Sequence, residues 1–360
     1  MTREERAAVG CSPASFGGAS RRPRGGTLVT GALELDRGRA DAGAQRSGLE
    51  RRGSRLLRAK EHAGASHDRP PIQAKSTSAV RTVRATIALL AVALALPAAP
   101  ALAASGNPPA WTQPHPPLHL LGPITYVGTR GLGAYLIRTS EGAILVDATM
   151  AENVPAIERN IRSLGLRLSD VKLILVSHAH FDHVGGLERM RRDTGARVLA
   201  GRGDVAALRS GTPPGETSYG VHRFPAVARV SPMADGERVR LGDVTVRAVA
   251  TPGHTPGCTT WVTRVVDHGR PRQVVFAGSM TVAGNRLVGN RRYPAIVRDY
   301  RATFDRIERL RADVVLPMHP EAADVFARAR AGTIVAPRLL GDMARTARAD
   351  FERTLREEKR

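Results

Sequence analysis

Two cysteines in 360 residues, Cys11 and Cys258, are too few and too far apart to build a disulfide framework. Lysine is almost missing: of 54 basic residues only Lys60, Lys75, Lys172 and Lys359 are lysines. Aromatic residues make up only 4% of the chain, so the arginines are not interleaved with stacking side chains as on a nucleic-acid-binding face. The formal charge of +21 divides into 17 basic against 8 acidic residues in 1–104 and 37 against 25 in 105–360. Arginine is thus spread through the whole chain, which fits a GC-rich coding sequence better than a phosphate-binding surface. A basic nucleic-acid-binding protein, whose mark would be steep salt dependence, is carried only as the reading from another class. Methionine is absent between Met1 and Met150, so no internal AUG codon lies there. The apolar run Ala85 to Leu96, broken by Thr86 alone, is twelve residues long, short of the ~20 that cross a bilayer.

That run is better read as part of an export signal. Lys75, Arg81 and Arg84 precede it, Pro97 and Pro100 break it, and Ala101-Leu-Ala103 is a small-x-small cleavage site. Residues 80–103 are therefore assigned as a signal peptide, Ala104 as the mature start, and 104–360 as the folded domain. Residues 1–79, rich in Gly, Ala, Ser and Arg with the single aromatic Phe16, cannot bury enough apolar surface to offset chain entropy. A signal buried behind such a segment is badly placed for recognition. The expectation is translation from a non-Met codon at Val80 or Val83, with 1–79 untranslated.

From Leu118 onward short strands alternate with helices. Residues 124–127, 134–138, 143–146, 173–176, 197–200, 239–241, 244–250, 259–264, 274–277 and 314–316 read as strands. Residues 152–164, 184–192, 296–310 and 337–357 read as helices, the first on Val154, Ile157, Ile161 and Leu164 along one face. The pattern predicts an α/β fold of two sheets with helices outside.

Directly after the apolar run Leu173-Ile-Leu-Val-Ser177 comes His178-Ala-His180-Phe-Asp182-His183, four metal-binding groups in six residues. A strand end needs no such cluster, and a helix start needs one cap. Two further histidines follow strands at Gly/Pro turns: His254 in Thr251-Pro-Gly-His-Thr-Pro-Gly257 and His319 in Leu316-Pro-Met-His-Pro320. Catalytic zinc takes about three protein ligands and keeps a position open. Six candidates thus serve two metals, while His115, His119, His222 and His268 are expected to be bystanders.

The arrangement His-x-His-x-Asp-His, then Gly-His-Thr-Pro-Gly, then a late His resembles the metallo-β-lactamase superfamily over residues 111–335. Gly131-Leu-Gly-Ala-Tyr-Leu136, Ile144-Leu-Val-Asp147, Thr251 to Trp261 and Val282 to Gly289 resemble its class B β-lactamases of the third subclass. Ser279 narrows the likeness. Most relatives carry there an Asp that bridges two metals, the third subclass carries Ser, and the Cys ligand and nearby Lys of the first subclass are missing. The resemblance implies an αββα sandwich of two mixed sheets with helices on the outer faces. It places His178, His180 and His254 on a first zinc and Asp182, His183 and His319 on a second. It further implies that zinc lowers the pKa of a shared water towards ~7, that Asp182 orients the resulting hydroxide, and that no covalent intermediate forms. Ser279 would hydrogen-bond a metal-bound water and Thr281 would hold a substrate carboxylate, while Asp147, at the end of a strand, is expected to fix a ligand histidine or the backbone of the cluster. Two departures are Gly278, where the subclass often has Asp, and Gly131-Leu-Gly-Ala in place of Gly-Leu-Ser-Ser. The expected protein is a periplasmic, monomeric β-lactam hydrolase that confers antibiotic resistance, without stable membrane insertion. A lactonase or thioesterase of the same fold is the alternative.

Overall fold

The computed structural model describes residues 106–217 and 222–360; the extension 1–79, the signal at 80–103 and the mature start at Ala104 lie outside the described residues. Seven strands form one sheet in chain order: β1 (Leu118–Leu121), β2 (Ile124–Tyr126), β3 (Tyr135–Thr139), β4 (Gly142–Val146), β5 (Val171–Val176), β6 (Arg197–Gly201) and β7 (Val230–Met233). Pairing is antiparallel as far as β4 and parallel beyond it. The second sheet holds β8 (Arg238–Leu241), β9 (Val244–Ala250), β10 (Thr259–Asp267), β11 (Arg270–Ala277) and β12 (Val314–Pro317), antiparallel except for the parallel pair β11–β12. Parallel neighbours need crossovers. Helices supply them: α1 (Val154–Ser163), α2 (Phe181–Val184), α3 (Leu187–Thr194) and α4 (Val205–Ser210) in the first sheet, α5 (Ile296–Arg309) in the second. α6 (Val325–Arg330) and α7 (Leu339–Glu358) follow.

The layers follow from side-chain alternation. On β5, Leu173 and Leu175 enter the cluster between the sheets, with Trp261 and Phe276 from the facing sheet. Ile174 and Val176 point the other way, onto α1 and α3 through Ile157, Ile161 and Met190. A strand covered on both faces reads as an unbroken apolar run, and β5 does. The outer face of the second sheet packs Val275 and Val315 against Tyr300 and Phe304 of α5 and Phe351 of α7. The result is the αββα sandwich with two mixed sheets. Trp261 ties the layers, its indole N–H donating to the Val176 carbonyl at 3.1 Å, two residues before the metal-binding segment begins at His178.

Several local readings differ from expectation, among them the short helices α4 and α6, which were not foreseen. β1 and β7 were not foreseen, because His119 interrupts the leucines of one and Pro232 sits in the other; both are edge strands, where such residues are tolerated. The helix expected over 184–192 is divided into α2 and α3 by Gly185 and Gly186. A Cβ at Gly186 would lie 2.5 Å from the Val154 side chain and 2.6 Å from the Ala148 carbonyl, so close approach to the α1 entry requires glycine there. Among the described residues no helix is long and apolar enough to cross a membrane.

Candidate metal centre

The candidate ligands all sit where chain leaves the C-terminal ends of strands or the turn beyond. His178 and His180 follow β5, Asp182 and His183 lie in α2, His254 follows β9 and His319 follows β12. The two sheets meet here through the Thr259 N–H, which donates to the Ser177 carbonyl at 2.8 Å. His178, His180 and His254 are buried and offer ligand atoms that all lie within 4.8 Å of one another. A second group is His178, Asp182 and His183. His319 joins it through Asp182, whose Oδ2 lies 3.4 Å from His319 Nε2 and 3.2 Å from His183 Nε2. His178 therefore stands between the two groups, a closeness that one-dimensional spacing could not show.

Hydrogen bonding fixes which ring nitrogens are bare. His254 Nδ1 faces the Thr281 carbonyl at 2.8 Å, and a carbonyl only accepts, so Nδ1 carries the proton. His183 Nδ1 faces Asp147 Oδ2 at 3.1 Å and donates likewise. The Ser177 hydroxyl gives its one proton to Asp147 Oδ2 at 2.6 Å, so it accepts from His178 Nδ1 at 3.0 Å. Asp147 also accepts the Ser177 N–H at 2.7 Å, and it does so from a left-handed backbone (φ 59) at full burial, a strained position at a strand end. In the neutral form, His178 and His254 then oppose bare Nε2 atoms at 3.1 Å. Two lone pairs this close repel unless a cation lies against both. Nitrogens bound at ~2.0–2.1 Å to a tetrahedral zinc stand ~3.3 Å apart, so the donor set fits a divalent metal.

Charge divides the cluster. Burial, reinforced by the neighbouring histidines, holds His178 and His254 well below the usual imidazole range. Burial also brings His180 down to about 4, with Asp182 opposing. Burial works against charge on His183 too, but Asp182 and Asp147 outweigh it and push that ring up to about 10. His319 is raised despite its burial, by hydrogen bonds to Asp182 and Glu321. Asp182 is held well below the carboxylate range: burial opposes its charge, and His183 and His319 overcome it.

Ser279 and Thr281 lie on the wall of a 620 Å³ cleft that also takes in Met318, His319, Glu321 and, from α7, Met343. Their hydroxyls are 3.1 Å apart. The Gly278 departure has a local cause: a Cβ there would lie 2.8 Å from Cys258 Sγ. His115, His119 and His268 stay away from the cluster, His115 being stacked on Phe326 at 4.3 Å. His222 does not: its ring packs 4.6 Å from Phe181, inside the motif itself. Trp111, 5.4 Å from the His319 ring and 6.2 Å from Phe181, also flanks the site. Sequence reasoning missed Trp111, Phe181 and the buried Asp204; for Asp204 the one available signal was its place just after a strand, like Asp147.

The family model described as Metallo-beta-lactamase superfamily matches residues 133–319, about half of the chain. Among solved structures, BJP-1, a subclass B3 metallo-beta-lactamase of Bradyrhizobium japonicum, is 41% identical with a TM-score of 0.67, covering 70% of this chain and 97% of that one. MEM-A1, a subclass B3 metallo-beta-lactamase isolated from a soil metagenome library, is 34% identical with a TM-score of 0.66, covering 69% and 98%. Among curated proteins, the hydroxyacylglutathione hydrolase of Rhodospirillum rubrum is 31% identical over 125 residues, 34% of this chain. The chain spans only 40% of that relative's length.

Proposed function

Since the chain belongs to the metallo-beta-lactamase superfamily and is a hydrolase of that fold, we propose that it opens the ring of β-lactam antibiotics with two zinc ions, after export to the periplasm. The observation that carries this reading is Ser279, paired with Thr281 on the cleft wall beside His319 in place of a metal-bridging carboxylate. The likeness to subclass B3 structures over nearly their whole length supports it.

His178, His180 and His254 would hold one ion, and Asp182, His183 and His319 the other. Bound zinc supplies a Lewis acid and makes water acidic near neutral pH. The chain's own residues do the rest. Asp182, ionised at neutral pH, is a hydrogen-bond acceptor that orients the attacking water. Thr281 and Ser279 offer hydroxyl donors to the carboxylate that such antibiotics carry next to the lactam nitrogen. Asp147 keeps His183 and, through Ser177, His178 in the tautomer that bares Nε2. Among the described residues the Ser279 hydroxyl bonds to Thr281 and to no general base, so attack by water without a covalent intermediate is the consistent course.

The hydroxyacylglutathione hydrolase relatives favour a second reading, thioester hydrolysis. Protein from Ala104 onward, loaded with zinc, separates the two in assays with a carbapenem, a cephalosporin and a small thioester panel. Lactam opening that a chelator abolishes and zinc restores is expected; turnover of thioesters alone would overturn the proposal. His180→Ala should abolish turnover while His268→Ala, at an exposed histidine away from the cluster, keeps most of it.

A further inference from the structure

One buried carboxylate near the site has no part in the chemistry above. Asp204 follows β6 at the entry to α4, is fully buried, and has no arginine or lysine against it among its described partners. Its Oδ2 accepts the Ala179 N–H at 2.8 Å and the Thr255 hydroxyl at 2.6 Å, and its Oδ1 accepts the Gly257 N–H at 2.7 Å. Ala179 lies between His178 and His180; Thr255 directly follows His254. All three histidines of the first group are therefore within one residue of a bond to this carboxylate.

The backbone around it is drawn in to make the contact. A Cβ at Gly257 would lie 2.2 Å from the Asp204 N, one at Gly203 would lie 2.4 Å from the Pro256 carbonyl, and one at Gly201 would lie 2.1 Å from the Gly257 carbonyl. Three glycines at one crossing let two strand-end loops approach a third segment closely enough for a single short side chain to hold both. Three donors converge on Asp204, and an ionised carboxylate, which only accepts, satisfies all of them. An amide of the same shape cannot, because its NH2 would face either the Gly257 N–H or the Ala179 N–H and Thr255 hydroxyl.

We propose that Asp204 is the positioning residue of the first triad: it staples the loop of His178 and His180 to the loop of His254 and so sets the separation of their ligand nitrogens. The inference rests on reading those histidines as a metal site. Among the described residues no hydrogen bond joins Asp204 to Asp182, His183 or His319, so its removal acts chiefly on the first site, the second sharing only the neighbourhood of His178.

The test is zinc binding to full-length or Ala104-onward protein, measured by competition with a chromophoric chelator and resolved into first and second equivalents. It is paired with the electronic spectrum of the cobalt-substituted protein. Asp204→Asn should weaken the first equivalent about 10- to 100-fold and leave the second within about twofold, with a changed spectrum for the first cobalt. If Asp204→Asn does not fold, Thr255→Val removes one of the three bonds and should weaken the first equivalent less, and Thr255→Ser, which keeps the hydroxyl, should restore it. Wild-type affinity and spectrum in Asp204→Asn and Thr255→Val, or equal weakening of both equivalents, would overturn the assignment of Asp204. Wild-type protein that takes up neither zinc nor cobalt would overturn the metal site beneath it, a result distinct from either.

Discussion

Loading the metal-free protein with zinc should release protons from one site and not from the other. His183 is held protonated up to about pH 10 by Asp182 and Asp147 against its own burial, and it must lose its Nε2 proton to become a ligand. At pH 7 the proton wins by about three units, and at ~1.36 kcal/mol per unit this opposes metal binding by about 4 kcal/mol. The second equivalent should therefore release at least one proton, with His319 adding to it because its pKa is also raised. Its affinity should climb about tenfold per pH unit between 7 and 9. His180, brought down to about 4, and His178 and His254, both held low, are already neutral, so the first equivalent should release none. The same shifts set the stability of the metal-free fold. The raised His183 contributes stability that is complete below its ordinary 6.5 and is lost as pH rises towards 10. The lowered His180 contributes stability present above 6.5 and lost as pH falls towards 4. Metal-free protein should accordingly be most stable near pH 6.5, and zinc should flatten the alkaline limb. Calorimetric titration in buffers of different ionisation enthalpy counts the protons. Equal release by both equivalents, or a second affinity indifferent to pH, would refute the division of charge within the cluster.

Three further outcomes are expected. Trp261→Ala empties the space between the sheets and frees the Val176 carbonyl, and should cost about 3–5 kcal/mol in denaturant unfolding; a loss below 1 kcal/mol would contradict the packing. Gly278→Ala forces a Cβ to 2.8 Å from Cys258 Sγ and 3.0 Å from the Thr259 carbonyl and should cost about 1–3 kcal/mol, while the Cys258→Ala, Gly278→Ala double variant should regain part of it. A double-mutant cycle without coupling would remove the steric account of that glycine. Thr281→Val should raise KM for carboxylate-bearing lactams about tenfold with kcat changed less, as loss of a binding hydroxyl does; a kcat loss with KM intact would assign Thr281 to the chemical step instead.

The fold was legible where one force dominated. β5, buried on both faces, showed as an apolar run, and α5 as Ile296, Tyr300, Phe304 and Ile307 along a helical face. Elements that compromise were not: Pro232 and His119 sit in edge strands whose existence depends on a neighbour to pair with. At the site, the candidate ligands stood out because a dense cluster of imidazoles has no structural use. Asp204 did not, since a single Asp before a short helix resembles a cap. Its meaning lies in donors 25 and 53 residues away, which come near only once the strands have paired.

What selects among substrates of one class lies largely outside the segment that defines the family. Residues 133–319 contain all six candidate ligands together with Asp147, Asp204, Ser279 and Thr281. Hydrolases acting on quite different carbonyls share the six ligands, so these cannot by themselves tell a lactam from a thioester; within the segment only Ser279 and Thr281 bear on that choice. The cleft beside His319 is completed from beyond that segment, by Glu321 and by Leu339, Met343 and Asp350 of α7. Trp111 precedes the segment, and its ring lies 5.4 Å from that of His319. These side chains bound the space into which a substrate's remote groups must fit, and binding energy gained there acts on kcat/KM without touching the ligands. Exchanging the α7 wall should therefore reorder lactam preference while zinc content stays constant, whereas changes at Asp204 or Asp147 should do the reverse.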